Sequence, residues 1–75
     1  MSTWPVARRR VVAEAAAQLA QYDQVIAAFR DLGRTYEVQW AEYAAGWVRL
    51  YGVDTVSSIR LRLLRKMLKA ALSEL

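Results

Sequence analysis

The chain has no cysteine and no histidine among its 75 residues. Those absences exclude disulfides, cysteine or histidine zinc sites, Ser-His-Asp and Cys-His triads, and acid–base chemistry by imidazole. There is no phosphate loop, no glycine-rich dinucleotide turn and no calcium-loop spacing, and the few carboxylates are dispersed along amphipathic segments. Nothing in this pattern points to catalysis, a cofactor or a bound metal, so a non-enzyme is expected. Long apolar runs are missing too. A membrane span needs about 20 mainly apolar residues, and Glu14, Asp23, Glu42 or the basic residues from Arg60 onward interrupt every candidate window. The alanine-rich stretch after Arg8, Arg9 and Arg10 does not make an export signal, because Glu14, Gln18 and Gln21 break its apolar segment. A cytoplasmic protein that does not enter a membrane is the expectation.

At this length the residues 1–75 form a single domain, and a domain so small buries only about 60% of the surface its unfolded chain exposes. Without disulfides or a metal, the staple left to it is a partner subunit. Hydrophobic residues at 56%, charged residues at 24% and a mean hydropathy of +0.05 describe a folded chain rather than a disordered one. Lys and Arg number 11 against 7 Asp and Glu, giving a net charge of +4 and an isoelectric point near 10.0, a balance that favours acidic partners. Arginine outnumbers lysine and alanine is abundant, a composition common in high-GC bacteria and their phages.

The single proline and three glycines serve as punctuation between helices. Ser2 or Thr3 followed by Pro5 starts helix 1, whose apolar residues Trp4, Val11, Val12, Ala15, Leu19, Tyr22, Val25, Ile26 and Phe29 recur at helical spacing to Leu32. Gly33 ends that helix, and Thr35 caps a second one running to Tyr51 with Glu37 in its first turn. After Gly52, Asp54 or Thr55 caps a third helix, from Thr55 to Ser73. No strands are expected. At about 1.5 Å per residue the helices measure about 42, 24 and 30 Å, so helix 1 outruns its neighbours. That mismatch, with the wide apolar arc of helix 3, predicts an all-α three-helix domain paired as an intertwined or side-by-side homodimer through the uncovered parts of helices 1 and 3.

Three constellations carry functional expectations. Tyr36, Trp40, Tyr43, Trp47 and Tyr51 form an aromatic stripe on helix 2 that the pattern assigns to the core or a subunit interface, meeting Trp4, Tyr22 and Phe29 of helix 1. Tyr36, Trp47 and Tyr51, nearest the stripe's ends, are expected to stay partly exposed. As core elements, Trp40, Tyr43 and Trp47 would each cost about 3 to 5 kcal/mol on truncation to alanine. Arg8, Arg9, Arg10, Arg49, Arg60 and Arg62 gather at one end if the helices alternate direction, and Arg65, Lys66 and Lys69 extend a basic face along helix 3. This arrangement predicts a small helical regulator, inhibitor or assembly factor docking an acidic protein through a basic surface. The segment from Gly46 to Arg62 resembles a helix-turn-helix, which makes the alternative a DNA-binding regulator using Ser57, Ser58, Arg60 and Arg62.

Overall fold

The computed structural model describes the backbone of residues 6–75 and the side chains from residue 8 onward. The roles expected of Ser2, Thr3, Trp4 and Pro5 lie outside the described residues. Three helices make the fold: α1 (Val6–Asp31), α2 (Thr35–Tyr51) and α3 (Thr55–Ser73), with no strand among the described residues.

The corners follow from local chemistry. Gly33, at a φ of 70°, reverses the chain after α1, and the amides of Gly33 and Arg34 donate back to the carbonyls of Arg30 and Phe29 at 3.0 and 2.9 Å. Those backbone bonds consume the turn. The residue flanking α2 is therefore Arg34, which makes no side-chain cap, and Thr35, expected as the cap, is already helical. Gly52, at a φ of 82°, closes α2 by donating to the Val48 carbonyl at 2.8 Å. Asp54 caps α3 reciprocally: its carboxylate accepts the Ser57 amide at 2.7 Å, and the Ser57 hydroxyl accepts the Asp54 amide at 3.0 Å.

α2 runs antiparallel to α1, fastened by an Arg30–Glu42 ion pair of 2.9 Å. α3 then runs parallel to α1 but starts beside its middle. Gln18 donates to the Ser58 hydroxyl at 3.2 Å, and the Tyr22 hydroxyl donates to the Ser57 carbonyl at 2.6 Å. At the far end, Arg34 reaches Glu74 at 2.7 Å, tying the α1–α2 turn to the end of α3. The expectation that the start of α1 lies beside the start of α3 is thereby corrected. The 26 residues of α1 span about 39 Å, and its exposed segment from Arg8 to Glu14 projects past both other helices.

The core joins Tyr22, Val25, Ile26 and Phe29 of α1 to Ala41, Ala44, Ala45 and Val48 of α2, closed by Leu61, Leu64 and Ala71 of α3. Tyr22 and Phe29 are fully buried as expected. The aromatic stripe of α2 is not in this core: Tyr36, Tyr43 and Tyr51 are exposed at 72%, 76% and 65%, and Trp40 and Trp47 are half-buried. The cause is volume. α1 already supplies two large rings, and close packing leaves room opposite them only for small side chains, so α2 turns its alanine row inward.

Candidate functional site

The six arginines expected at one end are separated by the fold. Arg8, Arg9 and Arg10 lie on the projecting part of α1, with Arg10 about 12 Å along the helix from Gln18, where α3 begins. Arg49 lines the α1–α2 groove with Asp23, Arg30 and Glu42. Arg62 lines the α1–α3 groove with Gln18, Gln21, Ser58 and Arg65, where the Arg65 guanidinium donates to the side-chain Oε1 of Gln21 at 2.8 Å. Arg60 turns to the α2–α3 side, its guanidinium carbon 5.2 Å from the centre of the Trp47 ring. One expected cluster is thus three grooves and a projection, because α3 enters halfway along α1. The basic face of α3 does form: Arg62, Arg65, Lys66 and Lys69 are all exposed and fall within one side of the helix.

What the fold assembles instead is apolar. On α2, Tyr36, Tyr43 and Leu50 recur at seven-residue spacing and are each more than 70% exposed, with Trp40, Trp47 and Tyr51 beside them. Trp47 and Tyr51 stack with ring centres 4.3 Å apart, tilted by 44°. On α3, Val56, Ile59 and Leu63 are exposed within one turn of Arg60, the residue that touches Trp47, so the two helices present one continuous face. Along α2 this face contains a depression of about 290 Å³ walled by Tyr43, Gly46, Trp47, Leu50 and Tyr51. The sequence placed Leu50 on the same stripe and gave Gly46 only as the start of the helix-turn-helix segment. Positions 43, 46, 47 and 50 fall at i, i+3, i+4 and i+7 on one side of the helix.

The α2–α3 corner, which the DNA-binding alternative would use to read bases, contributes contacts to the fold. Ser57 is fully buried in the capping box, Ser58 accepts from Gln18, and Arg60 lies half-buried against Trp47. The first turns of α3 therefore offer Val56, Ile59 and Leu63 outward, with Arg62 as the exposed cation. Hydrogen bonding from the Ser57 amide holds the Asp54 carboxyl below its ordinary value, partly countered by desolvation. Burial pushes the Tyr22 hydroxyl above its ordinary value of 10.0, only partly countered by the Arg60 charge.

Among the described residues no three carboxylates converge as a metal site requires, and no helix is long and apolar enough to cross a membrane. Comparison of the chain with known protein families, curated proteins and solved structures finds no match.

Proposed function

We propose that the chain is a small non-catalytic interaction protein, a regulator, inhibitor or assembly factor that acts by docking on another protein and works as a homodimer. The observation that carries this is the apolar face of α2 and α3. Its seven exposed members, Tyr36, Tyr43, Leu50, Tyr51, Val56, Ile59 and Leu63, present roughly 650 Å², taking about 200 Å² for each ring and about 100 Å² for each aliphatic side chain. The largest apolar patch of an ordinary monomer is about 300 to 600 Å². A face at the upper end of that range on an 8.6 kDa chain supports association.

The basic groups supply the second surface. Arg8, Arg9 and Arg10 on the α1 projection and Arg62, Arg65, Lys66 and Lys69 on α3 are exposed cations that suit an acidic protein partner. Two copies would present each set twice. The DNA-binding alternative gains no support from the corner, whose Ser57 is buried and whose outward residues are mostly aliphatic.

The test pairs two measurements. The double variant Arg9→Glu with Arg62→Glu is expected to keep its melting temperature, since exposed charges contribute only about 0 to 1 kcal/mol, while losing an acidic partner captured by the wild type. Titration with duplex DNA at two salt concentrations is expected to show no binding. Binding that falls steeply with salt would establish phosphate contacts and replace the protein-docking function by the nucleic-acid one. Full partner capture by the double variant would remove the basic surface from the site.

A further inference from the structure

Gly46 is unexplained by the single chain. It sits inside α2, where glycine costs about 1 kcal/mol relative to alanine, yet it is neither at a turn nor at positive φ, and beyond its own stretch of helix backbone nothing lies within 4 Å of where its Cβ would be. Around it stand Tyr43, Trp47 and Leu50, which with Gly46 complete the i, i+3, i+4, i+7 set that forms a hole in knobs-into-holes packing. The same stripe supplies the knobs: Tyr36, Trp40, Tyr43, Trp47 and Leu50 are separated by 4, 3, 4 and 3 residues, the spacing of a heptad seam.

We infer that this hole is filled by Tyr43 of a second copy, the two α2 helices crossing antiparallel on a two-fold axis near Gly46, so that each Tyr43 enters the other's hole. This rests on the homodimer proposed above and names its contact. Self-complementarity is what a two-fold interface demands: knob and hole must lie on the same surface, one turn apart, as Tyr43 and Gly46 do. The area agrees. The roughly 650 Å² of exposed apolar face, before half-buried Trp40, Trp47 and Met67 are added, approaches the roughly 800 Å² each partner buries in a stable interface. A missing side chain at the crossing lets two helices approach closely, and this compensates a residue that weakens its own helix.

The experiment uses the full chain with Gly46→Leu, which fills the hole, and Tyr43→Ala, which removes the knob, in sedimentation equilibrium with circular dichroism alongside. The wild type is expected to be a dimer at micromolar concentration. Both variants are expected to stay helical, Gly46→Leu because leucine is a better helix former than glycine, and each to raise the dissociation constant at least tenfold. If the wild type is a dimer that both variants leave intact, the α2 contact is wrong while the homodimer stands. A wild type that remains a monomer throughout overturns both and gives the face to a different protein. Should Gly46→Leu lose helicity, Tyr43→Ala decides alone, because a side chain 76% exposed contributes little to the single chain's fold.

Discussion

Tyr22 links the core of α1 to the start of α3. Its ring is fully buried in the core, and its hydroxyl donates at 2.6 Å to the Ser57 carbonyl in the first turn of α3. The Tyr22→Phe substitution keeps the ring and removes that bond, while the Ser57 carbonyl keeps the Leu61 amide of its own helix, so it is expected to lower stability by about 0.5 to 1.5 kcal/mol in urea unfolding. The pH dependence has a definite sign. Because the folded-state pKa lies above the unfolded value of 10.0, the neutral hydroxyl's contribution is complete below about pH 10 and is lost as pH climbs through the raised value. Asp54 acts at the opposite limit: its lowered folded pKa gives stability that is present above the ordinary carboxylate range and lost as pH falls through the depressed value. Wild-type stability is therefore expected to decline at both extremes, and Tyr22→Phe to flatten the alkaline limb only. An alkaline limb unchanged in the variant would show that Tyr22 does not titrate with folding.

At the scale of elements, the sequence was legible where one signal acted alone. Gly33, Gly52 and Asp54 mark helix ends by their own backbone and capping chemistry, so the bounds of α2 and α3 follow from local residues, and α1 ends one residue before Leu32. The inward side of α2 was not legible, because that helix carries two apolar stripes. Ala41, Ala44, Ala45 and Val48 repeat at the same spacing as the aromatics, and hydrophobicity ranks the aromatics higher. Only the volume already occupied by Tyr22 and Phe29 on α1 decides between them. The Ala45→Leu substitution tests this: enlarging a fully buried side chain against α1 is expected to cost about 1 to 3 kcal/mol by overpacking. An unchanged melting temperature would place Ala45 on the surface and the aromatic stripe inside.

For the whole molecule, the mismatch in helix lengths was visible in the sequence, but its consequence for charge was not. Alternating directions alone would have gathered Arg8, Arg9, Arg10, Arg49, Arg60 and Arg62; the entry of α3 at Gln18 separates them, and that point is set by the Gln18–Ser58 and Tyr22–Ser57 contacts across 40 and 35 residues. What remains is a narrow core sealed with alanines, a basic projection, and an exposed aromatic face on α2. The central claim is that this face joins copies rather than filling a core. The most direct measurement is the melting temperature of the wild type and of Tyr43→Ala over a hundredfold range of chain concentration. A dimer gains stability with concentration, so the wild-type value is expected to rise, while the variant stays nearly level and meets the wild type at the highest dilution. A wild-type value independent of concentration, or a Tyr43→Ala value lowered equally at every concentration, would contradict the account, the first by removing the dimer and the second by returning Tyr43 to the core.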